Sequence, residues 1–132
     1  AKLYEHWASK PRQRIDMQTL CRFALASGMR LGEICGLQVA DVDREARTVL
    51  IRDRKDPRHK LGNDQLVPLL PDAWAIVAPL IEGRTAGKVF DVQAASASTA
   101  FTRACAAAGI NDLHFHDLRH RAAAEFFRMG LD

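Results

Sequence analysis

Two short runs, Thr48-Val-Leu-Ile-Arg52 and Gln65-Leu-Val-Pro-Leu69, interrupt a chain whose apolar residues otherwise recur every three or four positions. Both are rich in β-branched and aliphatic residues and are bounded by polar ones, so they predict two strands of a small antiparallel sheet. A strand pair set among helices restricts the fold class to α+β, mainly α-helical with a small antiparallel β-sheet. The connection 53–64 carries Asp-Pro and Gly-Asn turn signals and is expected to be an exposed loop.

The helical segments are punctuated by glycine and proline. Met17 to Ala26 places Met17, Leu20, Cys21, Ala24 and Leu25 on one face, and Ser27-Gly28 supplies the stop. Leu31 to Leu37 predicts a second short helix, weakened by Gly32 and Gly36, with Asp41-Val-Asp43 as a turn behind it. Pro71 opens a third helix through Trp74, Ile76, Val77 and Leu80, where Asp72 complements the helix dipole and Pro79 should kink or end it. Val89-Phe90 predicts a short extended piece. An alanine-rich helix, Ala94 to Ala108, follows with Phe101 and Cys105 on one side and Gly109 as its stop. The last helix, about His116 to Met129, repeats Leu118, Ala122 and Phe126 as its buried stripe. No internal repeat or interior linker is visible, so residues 1–132 form a single domain, with 1–14 expected to be a flexible N-terminal segment.

Nineteen Lys and Arg against 16 Asp and Glu give only +3 overall, but the charge is unevenly distributed. Residues 1–60 carry 13 basic and 8 acidic side chains, a net of +5, whereas 61–132 carry 6 and 8, a net of −2. Arg44, Arg47, Arg52, Arg54, Lys55, Arg58 and Lys60 crowd one stretch, which points to an anionic partner there unless the run is simply a solvated face. The apolar stretches are far shorter than the ~20 residues that cross a bilayer. The first residues lack the apolar core of a signal peptide, so no membrane partner and a cytoplasmic location are expected. Cys21, Cys35 and Cys105 lie in apolar helical contexts without a Cys-x-x-Cys spacing, which favours buried reduced thiols over disulfides or zinc ligands.

Three segments place a cation or an imidazole where the surrounding pattern calls for something cheaper to bury. In Ser27-Gly-Met-Arg-Leu-Gly-Glu33, Arg30 lies between two helices among apolar neighbours, with Glu33 three residues on as a carboxylate for its fork; the plainer reading is an intrahelical ion pair. In His114-Phe-His-Asp-Leu-Arg-His120, helical spacing puts His116, Arg119 and His120 on one side while Leu118 faces the core, so an imidazole and a guanidinium can meet one phosphate. The plainer reading there is a polar solvent face with His114 or His116 capping the helix. Lys55 stands in the basic turn after the first strand, where a lone lysine is ordinarily surface.

The ordered set, from Ser27-Gly-Met-Arg-Leu-Gly-Glu33 through strand, lysine-bearing turn and Val67-Pro-Leu69 to His116-Asp-Leu-Arg-His120, resembles the catalytic domain of the tyrosine recombinases, the phage integrase family, over residues 15–132. The resemblance implies that Arg30 and Arg119 clamp the scissile DNA phosphate and that Lys55 protonates the departing 5′ hydroxyl. It also implies that His116 assists proton transfer, that Glu33 holds Arg30, and that His120 supports the second arginine. Lys60 rivals Lys55, which is preferred because it follows the first strand directly. Arg52, Arg54, Arg58 and Lys60 are candidate DNA-backbone contacts. No metal and no cofactor are implied.

The chain also departs from the family pattern. The second His or Trp and the nucleophilic tyrosine that follow the His-x-x-Arg helix in the family do not follow it here, and the one tyrosine, Tyr4, precedes the motifs. An excised core truncated at both ends is therefore expected: a parent that recombines double-stranded DNA through a 3′-phosphotyrosyl link as a tetramer, and a monomeric fragment that only binds DNA. Arg121 stands where the family more often has a small hydroxyl residue, and no role is assigned to it. Two other readings remain. One is a non-catalytic DNA-binding module. The other is a metal phosphohydrolase using His114, His116, Asp117 and His120, which would need further ligands beyond His6 in a tail and His59 in a basic loop.

Overall fold

The computed structural model describes residue 3 and residues 16–52, 64–110 and 113–128, with the side chains of 123 and 125–128 left aside. Helix α1 (Met17–Ser27) begins at Asp16, whose carboxylate accepts from the Thr19 N–H at 3.1 Å and from its hydroxyl at 2.7 Å. Its buried face is Met17, Leu20, Cys21, Phe23 and Ala24; four of these are expected from the sequence, while Phe23 takes the buried place expected of Leu25, which is only half-buried. Gly28 ends it in the left-handed region at φ 69°, donating its N–H to the Ala24 carbonyl. A Cβ would strain that turn, and the turn is what frees the chain to lead into α2 (Leu31–Gly36).

A single 3₁₀ turn, Val39–Asp41, leads into the sheet of β1 (Val42–Asp43), β2 (Thr48–Ile51) and β3 (Gln65–Pro68). The order is β1-β2-β3, antiparallel throughout, with Val42 opposite Val49 and Val49 opposite Val67. The sequence reading treats 41–43 as a turn, whereas Val42 and Asp43 form a third strand. Two residues are too few to show an alternating pattern, and only the pairing with β2 makes them a strand. The hairpin between β1 and β2 closes through Asp43, whose Oδ1 accepts from Glu45 and Ala46 N–H groups, both at 3.0 Å. The exposed loop expected at 53–64 lies, except for Asp64, outside the described residues.

Helix α3 (Pro71–Ile81) starts on Pro71 and buries Ala73, Val77 and Ile81. It runs two residues past Pro79 instead of ending there. That proline leaves one carbonyl, that of Ala75, without its helical donor, and the final carbonyls are met by side chains. Arg84 donates to Leu80 O at 3.0 Å and Arg44 to Ile81 O at 2.7 Å. Beyond it, the Val39 N–H donates to Gly87 O at 2.8 Å and the Val89 N–H to Leu37 O at 3.0 Å. These bonds hold Val89, Phe90 and Val92 in the core.

Helix α4 (Ala94–Ala107) buries Ala97, Phe101, Ala104 and Cys105, with Gly109 at φ 71° past its end. Helix α5 (Phe115–Arg128) starts one residue before the expected His116; Ala122 is buried and Leu118 half-buried, and Phe126 of the expected stripe lies outside the described side chains. Helix α1 is the hub, packing on α3, α4 and α5. Phe23 meets Phe90 at 5.1 Å between ring centroids, and Phe101 meets Phe115 edge to face at 5.4 Å. Leu3 is half-buried against this core. All three cysteines are buried and free. Burial, with Cys105 adding to it, pushes the Cys21 thiol up to about 12; burial also raises Cys105, and raises Cys35 against the lowering influence of Lys88.

Candidate functional site

Arg30 occupies the N-cap position of α2, with extended backbone at φ −70° and ψ 150°. A guanidinium has no acceptor to offer the helix start, so the capping falls to Glu33 at the third helical position. Its carboxylate accepts from the Arg30 N–H at 3.0 Å and from the Arg30 guanidinium at 3.4 Å. The Glu33 side chain is 9% exposed and the Arg30 side chain 32% exposed. The carboxylate is thus mostly covered while the arginine still reaches solvent. The pair is an i,i+3 ion pair, as the plainer reading has it, set at the mouth of the helix with its carboxylate also accepting from the backbone.

The second motif begins its helix in the same way. His114 precedes Phe115, the first residue of α5, and Asp117 at the third helical position accepts from the His114 N–H at 2.7 Å. The sequence reading expects His114 or His116 to cap this helix; His114 does stand just before it, but the side chain that caps is that of Asp117. This leaves His116 and His120 on the exposed side of the helix, with ring centroids 4.5 Å apart and planes at 88°.

Arg119, half-buried between them along the chain, donates from Nε to Gly28 O at 3.0 Å. Gly28 is the left-handed residue that ends α1, two residues before Arg30. The bond draws the start of α5 against the α1–α2 turn, so the arginines of both motifs belong to one corner of the molecule. Sequence reading places each arginine on its own element. It misses the Gly28 carbonyl, because a backbone acceptor 91 residues away leaves no signal in side-chain pattern.

The basic stretch is used differently from a uniformly displayed charged surface. Arg44 donates to Ile81 O and Arg84 O, both at 2.7 Å, and so caps α3. Arg47 lies over the Trp74 ring at 5.4 Å from the centroid. Arg52 forks onto Asp41, with Nε to Oδ2 at 3.1 Å and Nη2 to Oδ1 at 2.9 Å. That fork, more than simple charge attraction, holds the Asp41 carboxyl below its usual range, and partial burial opposes it. The Arg52 side chain remains 63% exposed. Arg54, Lys55, Arg58 and Lys60 lie outside the described residues, so the lysine position is not part of the described corner. Among the described residues, no group of three or more His, Cys, Asp or Glu is placed to hold a metal ion. No described helix is long and apolar enough to cross a membrane.

The fold and the sequence both have known relatives. The shufflon-specific DNA recombinase of Escherichia coli is 32% identical over 118 residues, 89% of this chain and 29% of its own length. The tyrosine recombinase XerC of Mycobacterium bovis is 32% identical over 123 residues, 81% of this chain and 39% of its own length. The chain thus spans about a third of these relatives. Among solved structures, the lambda integrase catalytic core superposes with a TM-score of 0.73 at 17% identity, over 97% of this chain and 79% of that one. A lambda integrase tetramer bound to a Holliday junction gives 0.73 at 18% identity, covering 99% of this chain and 41% of that one. The family model of the phage integrases matches residues 2–132, and the chain belongs to that family of tyrosine recombinases.

Proposed function

We propose that residues 1–132 are the phosphate-activating portion of a site-specific DNA recombinase, and that Arg30 and Arg119 grip the scissile phosphate. The observation that carries this reading is the bond from Arg119 Nε to Gly28 O, which ties the helix of one arginine to the turn that presents the other. Two guanidinium forks suit the two non-bridging oxygens of a phosphodiester and the charge that builds on them as a fifth ligand reaches phosphorus. Glu33 is a positioning residue for Arg30, and His120 supports Arg119.

In the reaction a tyrosine hydroxyl attacks phosphorus, a 3′-phosphotyrosyl bond forms and the bond to the 5′ oxygen breaks. His116 assists the proton leaving the attacking hydroxyl, and Lys55 supplies the proton taken up by the 5′ oxygen. Rejoining runs the same steps in reverse, so the bond energy is retained and neither metal nor external energy source is required. The chain's single tyrosine, Tyr4, precedes both motifs, so the attacking tyrosine comes from outside these 132 residues. The chain alone binds double-stranded DNA without cutting it, as a monomer, through phosphate contacts that include Arg52, Arg54, Arg58 and Lys60. The longer recombinase acts on paired sites in the cytoplasm and assembles on DNA as a tetramer; the tetrameric state is supported by the lambda integrase tetramer bound to a Holliday junction.

The test is a suicide duplex carrying the candidate site, incubated without metal with the longer recombinase that contains these residues, and read on a denaturing gel. A protein–DNA adduct that disappears on Arg30→Ala or Arg119→Ala supports the reading. Salt-sensitive binding with no adduct on any site favours a non-catalytic DNA-binding module instead.

A further inference from the structure

We propose that His116 and His120 form a two-imidazole chelate for a borderline divalent transition ion of the zinc, copper or nickel class. The two side chains are one helical turn apart on α5, both exposed, with ring centroids 4.5 Å apart. Two histidines at i and i+4 on a helix present their nitrogens to one point in space. Imidazoles sharing a tetrahedral ion, each nitrogen about 2.1 Å from the metal, have centroids roughly 5 Å apart. The observed 4.5 Å is close to that spacing, and turning the perpendicular rings about their side-chain torsions is the adjustment that chelation would require.

The neighbouring groups fix the character of the site. Asp117 lies beside His116 in sequence, and its Oδ2 accepts from the His114 N–H at the helix start; the donor set proposed is the two imidazole nitrogens, with water completing the shell. Such a donor set favours copper, nickel and zinc and discriminates against magnesium and calcium, which take oxygen ligands. Arg119 lies on the same helix, with its Nε donating to Gly28 O. Its charge and that of the exposed Arg121 still keep the affinity below that of a closed structural site. Loading withdraws the His116 lone pair from proton transfer. That consequence rests on the function proposed above, whereas the metal site does not.

The experiment is calorimetric titration of the tag-free chain with Zn²⁺, and separately with Ni²⁺ and Mg²⁺, alongside proton NMR of the histidine ring resonances. One Zn²⁺ or Ni²⁺ per chain is expected, with the His116 and His120 resonances moving together and no response to Mg²⁺. His120→Ala should weaken binding at least tenfold, His114→Ala should leave it within twofold, and lowering the pH should weaken it because a protonated ring has no lone pair to give. No saturable binding, or binding unchanged in His120→Ala, overturns the site. Far-ultraviolet circular dichroism of the variants separates loss of ligand from loss of fold. Because no DNA or activity is involved, failure here leaves the recombinase reading untouched, and failure of the adduct assay leaves this one untouched.

Discussion

The Nε of Arg119 donates to the carbonyl of Gly28 at 3.0 Å, and so joins the last helix to the turn that ends the first. A lysine has no donor at that position and no planar fork. Arg119→Lys should therefore lower stability by about 0.5–1.5 kcal/mol for the lost hydrogen bond. In the longer recombinase it should reduce adduct formation roughly 10²- to 10³-fold, the usual cost of removing one transition-state donor. Urea unfolding checks the first effect and the suicide-duplex assay the second.

Glu33 serves both the Arg30 N–H and its guanidinium, so two substitutions separate these contributions. Glu33→Gln keeps an acceptor for the N–H and should cost little stability while loosening the arginine. Glu33→Ala removes the cap as well and should cost about 1 kcal/mol. Asp117→Ala should cost a similar amount at the start of α5, where the carboxylate accepts only from the His114 N–H among the bonds described. Thermal melts of the three variants give the ranking.

Phe101 lies edge to face with Phe115, the residue immediately before His116. Truncation to alanine should destabilise by about 3–5 kcal/mol through lost burial and the cavity left behind. Phe101→Leu keeps most of the volume and should cost less, while still shifting the His116 ring resonances, because the anchor beneath the helix start has changed shape. Denaturant midpoints and histidine NMR read the two effects.

Cys21 responds to alkali in a defined direction. Its thiol is raised from 9.0 to about 12 in the fold, so between those values the unfolded chain loses a proton that the folded chain keeps. Stability from this group is unchanged below about pH 9 and declines as pH rises above it. The thiol should also be inert to Ellman's reagent until the chain is unfolded. Cys21→Ala should flatten the alkaline limb of a stability–pH profile, and an unaltered limb would contradict the assignment.

Asp41 responds to acid in the opposite sense. The Arg52 fork lowers its carboxyl below 3.8, so its contribution is present above that value and is lost as pH falls through the lower folded value. Asp41→Asn should remove that acid dependence. If Arg52 also meets a DNA phosphate, Arg52→Ala should reduce the salt slope of DNA binding by about one. A slope identical to wild type would confine Arg52 to its pairing with Asp41.

Much of this molecule is legible in the chain itself. The 3.6-residue spacing of Met17, Leu20, Cys21 and Ala24 marks α1, Ser27-Gly28 marks its end, and the runs at 48–52 and 65–69 mark β2 and β3, because periodicity and turn chemistry are local. Local spacing also predicts that Glu33 meets Arg30 and that His116 and His120 share a face. Only the folded chain makes Val42 and Asp43 a strand, since a two-residue strand exists by virtue of its partner. The same is true of α3 continuing past Pro79, where side chains from beyond the helix and from the β1–β2 hairpin satisfy its last carbonyls. Arg44 and Arg47 illustrate the difference most clearly. Sequence records two charges in a basic run, whereas tertiary structure spends one on capping a helix and the other on an aromatic face. The meeting of Arg119 with Gly28 is of the same kind. Residue type fixes what a side chain can bind, but a partner 91 positions away is chosen by how the helices pack.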